Sequence, residues 1–203
     1  MKLIRFWIVV LSMSLLTACT KDEQIESSKE FIPEEEKLEK VAVTAKPEEV
    51  NYYKTVTLPY YEEVIAEFDS IWQLYWQDSA EQFSRGGMLI DYINSLKELT
   101  DSYEALQLKL NEPPIEHLIA DNVVTVQQAA KDLNKCIEKR LEANSNLLTA
   151  ILTGKINDSK QIEIQSIVAE GDKLLISSNS KMYGLAYDLG IQYTENKGND
   201  ENS

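Results

Sequence analysis

The chain has 203 residues, 43% of them hydrophobic and 27% charged, with 34 Asp and Glu against 20 Lys and Arg. That length suits one domain, and seven Gly and five Pro are too few for the many tight turns of a sandwich or barrel. A formal charge of −14 excludes nucleic acid as a partner gripped by phosphate neutralisation, which needs a basic face.

Lys2 and Arg5 precede an apolar stretch, Phe6 to Leu16, broken only by Ser12 and Ser14. A membrane-spanning helix needs about 20 residues, so this stretch reads as a secretory signal. It ends in Leu16-Thr17-Ala18-Cys19, which resembles the bacterial lipobox: a branched apolar residue, two small residues and a cysteine. The resemblance covers residues 1–19. It implies a lipoprotein signal peptide over 1–18, a diacylglycerol of palmitate-type chains on the Cys19 sulfur, and a place on the outer face of the bacterial cytoplasmic membrane. Two or three acyl chains, at about 0.8 kcal/mol per buried CH₂, hold a protein far more firmly than one. The body then needs no membrane-binding surface of its own. Loss of residues 1–18 removes two basic and no acidic side chains, leaving 18 against 34 and a charge of −16, which anionic headgroups repel. Cys136 becomes the one unmodified thiol, so no intrachain disulfide forms, and a small buried hydrophobe is its expected role.

From Thr20 to Lys54 there are ten acidic and six basic residues, two Pro and few large apolar side chains. Such a segment buries too little to offset its ordering entropy, so residues 19–54 are expected to be a disordered acidic tether that starts at the lipidated Cys19. Its reach is about 30–35 Å by random-coil scaling. The polar tail 194–203 is expected to fray.

Residues 55–193 carry helical periodicity throughout. Helix 1 is expected to begin near Pro59, whose missing N–H costs nothing in a first turn, and to run to about Phe83 with Tyr61, Val64, Phe68, Trp72 and Tyr75 on one side. Ser84-Arg85-Gly86-Gly87 breaks it. Helix 2 repeats Leu89, Tyr92, Leu96, Leu99, Tyr103, Leu106 and Leu110 at coiled-coil spacing. Asn111-Glu112-Pro113-Pro114 makes a turn, and helix 3 is expected over 115–153, with any irregularity at the β-branched run Val123-Val124-Thr125-Val126. Gly154 is its natural stop. Helix 4 opens near Asp158 and follows Ile164, Ile167, Gly171, Leu174, Leu175, Ser178, Met182, Leu185 and Leu189, where the small Gly171 and Ser178 allow a close backbone approach. Four such helices joined by short turns predict an all-α fold, an antiparallel up-down four-helix bundle preceded by the tether.

One histidine, His117, cannot build the two Glu-x-x-His motifs of di-iron bundles or a zincin motif, so no metal and no cofactor is expected. His117 also stands 19 positions from Cys136, ~28 Å along a straight helix, which separates them as a nucleophile pair. Ser178-Asn179-Ser180-Lys181 contains Ser-x-x-Lys, as in penicillin-recognising enzymes, but inside a helix and with no Lys-Thr-Gly after it. Arg140 and Asn144 (with Asn134 and Asn146) on helix 3, and Asp172 and Ser178 on helix 4, are candidate lining for a polar pocket. Against that, Asn144 suits a register-setting core polar residue and Arg140 an outward-reaching one. Lys131, Lys135 and Lys139 with Asp132, Glu138 and Glu142 read as a solvated face. Among the aromatics crowding helix 1, Trp76 lies about 80° from Phe68 at 100° per residue. It stands at the edge of the buried stripe and, with Tyr52 and Tyr53, is the candidate partner contact.

The expected function is that of a lipid-anchored, non-catalytic surface protein acting through protein–protein contact in an envelope process. Its partners are the membrane, through the lipid, and an envelope or surface protein. Binding of a wall polymer or small polar ligand in the bundle is the alternative. The body is similar in style to the small helical lipoproteins of low-GC Gram-positive bacteria.

Overall fold

The computed structural model describes residues 45–191; the lipobox with Cys19, the tether up to 44 and the tail 194–203 lie outside the described residues. Among the described residues the chain is all helical, with four helices: α1 over 47–84, α2 Leu89–Leu110, α3 Ala120–Thr153 and α4 Asp158–Asp188. None of them is long and apolar enough to cross a membrane.

The first helix differs most from expectation. It starts at Pro47, not near Pro59, so the end of the segment read as tether is helical and packs: Glu49 is 2% exposed and Tyr53 fully buried. Pro47 in the first turn loses no hydrogen bond, and Glu48 and Glu49 meet the positive end of the helix dipole. Two π-helical segments interrupt α1, Tyr53–Thr57 and Gln73–Asp78. Pro59 follows directly on the first, in the opening turn of the α-segment Leu58–Trp72, where a widened turn accepts a ring that cannot donate.

α2 has the predicted bounds and buries Tyr92, Leu96, Leu99, Tyr103, Leu106 and Leu110, while Leu89 at its first turn stays 46% exposed. Tyr103 packs against Phe68 with ring centroids 5.3 Å apart, and Tyr92 stacks on Phe83 at the same separation. The Tyr60 hydroxyl donates to the Lys109 carbonyl at 2.5 Å.

α3 begins five residues later than expected because Glu49 of α1 takes over the capping: its Oε1 accepts from the Ile119 N–H at 2.9 Å and from Asn122 Nδ2 at 2.7 Å. Residues 115–119, with His117, stay in the connecting loop. From Ala120 the helix is continuous for 34 residues, ~51 Å at the α-helical rise, straight through the Val123–Val126 run. The small propensity cost of β-branching is outweighed there by tertiary burial, with Val126 2% exposed. Gly154 ends α3 at φ 65°, with the Lys155 N–H reaching the Ala150 carbonyl and the Gly154 N–H the Ile151 carbonyl, the paired bonds of a Schellman motif. Asn157 caps α4 by accepting from the Lys160 N–H at 2.9 Å.

α3 and α4 approach closely. A methyl group added at Gly171 would stand 3.5 Å from the Cys136 carbonyl oxygen and 3.2 Å from the Lys139 Cβ.

Candidate functional site

The polar residues singled out on α3 and α4 are buried, but they face different neighbours. Arg140 is 4% exposed; its Nη2 donates to Asp172 Oδ1 at 2.5 Å and its guanidinium lies 3.9 Å from the Trp72 ring centroid. This corrects the outward-reaching reading. The stem of Arg140 points at α1, where the indole face and the Phe68 ring 5.9 Å away replace water by cation–π attraction. Arg140 Nε and Nη1 and the Trp72 Nε1 have no protein acceptor.

Asn144, fully buried, turns to α2: its Nδ2 donates to the Leu96 carbonyl at 2.7 Å and to Thr100 Oγ1 at 2.9 Å. Ser178, also fully buried, donates to the Ala129 carbonyl at 2.8 Å and meets the Tyr61 hydroxyl at 2.7 Å. The structure thus brings Arg140 and Asp172 together, while Asn144 ties α3 to α2 and Ser178 joins α4 to both α3 and α1. Asn146 reaches Lys160, 2.7 Å away at the start of α4. Asn134 borders an open cleft of about 440 Å³ beside Pro113 and Lys131.

Asp132 was read as part of a solvated face and is not: it is 6% exposed, accepting from Ser177 Oγ at 2.8 Å and Lys181 Nζ at 2.6 Å. Burial acts to raise its carboxyl, but the bonds from Lys181, Ser177 and Gln128 outweigh it and hold the pKa below the ordinary value. Lys181 therefore contacts Ser177 and Asp132, while Ser178 of the Ser-x-x-Lys pattern is engaged by Ala129 and Tyr61.

The aromatic candidates divide. Trp76 is 4% exposed and stacks on Trp72 with centroids 4.4 Å apart, so it is a core residue and not a surface anchor. The wheel misplaced it because Gln73–Asp78 is a π-segment: roughly one residue more per turn reduces the advance per residue and brings Trp76 back over the core direction. Tyr53 is fully buried, its hydroxyl donating to the Met182 carbonyl at 2.7 Å. Tyr52 is half-buried, edge-on to His117 at 4.8 Å, and donates to Glu116. Burial, and then the Glu116 carboxylate, raise its pKa. Both tyrosines border an architectural contact between α1, the 111–119 loop and α4.

Cys136 is fully buried and reduced, and burial pushes its thiol up to about 12, so it packs as a small hydrophobe and is a poor nucleophile. Sequence reasoning missed Glu49. The signal was the spacing of Val50, Tyr53 and Thr57, which extends the apolar side of α1 backwards through the supposed tether. In comparisons with protein-family models, curated proteins and solved structures, the chain matches none of them.

Proposed function

We propose that this protein is a lipid-anchored, non-catalytic bundle, tethered through Cys19 to the outer face of a bacterial cytoplasmic membrane and acting by contact with an envelope or surface protein. The observation that carries the contact half is the use made of the buried polar groups. Asn144 Nδ2, Ser178 and Asp132 each tie one helix to another, with Asn144 Oδ1 left without a partner, so most of the polar surface that remains for a partner is on the outside. The anchor half rests on Leu16-Thr17-Ala18-Cys19.

The same reading takes the fold as an antiparallel up-down bundle on a tether. In its support, Tyr60, Phe68 and Phe83 meet Lys109, Tyr103 and Tyr92 in descending order, and Asp132, Arg140 and Asn146 meet Lys181, Asp172 and Lys160 likewise.

Two measurements test it. Full-length protein from a bacterial host should incorporate labelled fatty acid and enter the detergent phase, while Cys19→Ala should do neither; unlipidated wild type removes the anchor. A photo-reactive residue at exposed positions of α2 and α4 should give cross-links to envelope proteins in intact cells, and none from any position removes the contact function. A second reading, a small polar ligand or wall polymer held in the bundle, is favoured by the acceptor-less Nε and Nη1 of Arg140 beside Trp72 Nε1. Saturable binding of soluble wall polysaccharide, lost in Arg140→Met, would select it.

A further inference from the structure

Among the described residues the buried charged side chains are Glu49, Asp132 and Arg140. Asp132 pairs with Lys181 and Arg140 with Asp172, but no cation pairs with Glu49. Its Oε1 accepts from the Ile119 N–H and from Asn122, while its Oε2 has no partner. The α3 N-terminus that it caps supplies about half an elementary charge, so part of the buried charge stays unanswered.

Glu49 lines a cleft of about 670 Å³ between the start of α1 and the loop before α3. Glu48 and Glu116 line it too, both exposed, and Lys46 is the only lysine or arginine in its wall. None of Lys46, Glu48 and Glu116 forms an ion pair among the described residues; the Tyr52 hydroxyl donates to Glu116. Three carboxylates against one lysine leave the cleft short of positive charge. The innermost carboxylate is also screened from water, so its attraction acts through protein at low dielectric and reaches a cation in the cleft with little loss.

The remaining walls select the kind of cation. Among the described residues no three His, Cys, Asp or Glu side chains come together as metal ligands. Tyr52 and His117, edge-on with centroids 4.8 Å apart, give the cleft aromatic rings, and Val56, Leu118 and Ile119 give it apolar surface. Such walls suit a charge carried on carbon: the stem lies on apolar side chains while the head keeps to the carboxylates and the ring of Tyr52. An ammonium with three N–H donors also meets acceptor-only carboxylates better than a quaternary head does.

We infer that this cleft binds a primary ammonium group carried on an alkyl chain, from a lysine side chain of another protein or from a free polyamine. The site goes beyond the contact function proposed above and does not depend on the anchor at Cys19.

The first probe is n-pentylammonium chloride, titrated calorimetrically onto full-length protein. It should bind saturably at one site, and pentan-1-ol, with the same chain and no charge, roughly tenfold or more weakly. Glu49→Gln keeps an amide oxygen for the Ile119 N–H and removes the charge, and should weaken pentylammonium by roughly tenfold. If that variant is unstable, Glu48→Gln and Glu116→Gln, at exposed positions, carry the test and should each weaken binding about two- to fivefold. Lys46→Ala removes the competing cation and should tighten it, while Glu104→Gln, exposed on α2, should change nothing. Nα-acetyl-lysine methylamide and spermidine then separate the sources: tighter binding of the first assigns the site to a lysine side chain, of the second to a polyamine. No saturable binding, equal binding of the alcohol, or unchanged affinity in both Glu48→Gln and Glu116→Gln overturns the inference. Calcium bound more tightly than the amine overturns it in favour of coordination. Weaker amine binding in Lys46→Ala, together with a fall in thermal stability, makes Lys46 the counter-ion of Glu49 and overturns it as well.

Discussion

Asn144 sits at zero exposure with its amide nitrogen bonded to the Leu96 carbonyl and Thr100, so it fixes α3 against α2 at one height. Asn144→Ala removes both bonds between α3 and α2, while the Thr100 hydroxyl keeps its own bond to the Leu96 carbonyl at 3.4 Å, and should cost ~1–3 kcal/mol in denaturant unfolding. Trp76→Ala removes the inner half of the stacked Trp72–Trp76 pair and should cost ~3–5 kcal/mol by the same measurement. A loss under ~1 kcal/mol would return Trp76 to the surface. The register role of Asn144 was legible because a lone Asn interrupted an apolar seam. The place of Arg140 was not, since nothing in its own helix announces the indole of Trp72 that covers it.

At the scale of elements, α3 and α4 are joined by two kinds of tie. One is the close approach at Gly171, where any side chain longer than a methyl must push against the Cys136 backbone and Lys139. Gly171→Leu should separate the helices and lower the melting temperature far more than Gly171→Ala. The other is Asp132 with Lys181 and Ser177. Its pKa is depressed in the folded chain, so the stability it supplies is present above the unfolded carboxyl value and is lost as pH falls through the folded one. Unfolding free energy followed downwards in pH from about 4, where free Asp titrates, should therefore fall more steeply in wild type than in Asp132→Asn. The helix ends at Gly154 and near Asp158 were readable because caps are local chemistry. The start of α3 was not, because its cap is Glu49, far away in the chain.

For the whole molecule, burial raises the pKa of Tyr61, Tyr92 and Tyr103 above the ordinary tyrosine value. Groups raised in this way stabilise below their unfolded pKa and lose that contribution as pH climbs towards the folded one. Absorbance at alkaline pH should thus show these tyrosines ionising only together with loss of helical circular dichroism, above about pH 10. Limited proteolysis should leave the bonds from Pro47 to Lys54 protected, with no cut at position 54, because Glu49 and Tyr53 are buried and bonded to the start of α3 and to α4. By itself the sequence determined the all-helical class, the span of α2, the stop at Gly154, the close approach at Gly171 and the burial of Cys136. Each follows from periodicity of side chains along one helix or from backbone preferences of a few adjacent residues. Only the tertiary structure decided where α1 begins, that it takes π-turns, that Trp76 and Asp132 lie inside, and that Arg140 stacks on Trp72. Those outcomes depend on which surfaces meet across separate helices, and a wheel drawn at a fixed angle per residue carries neither the partner helix nor the extra residue of a π-turn.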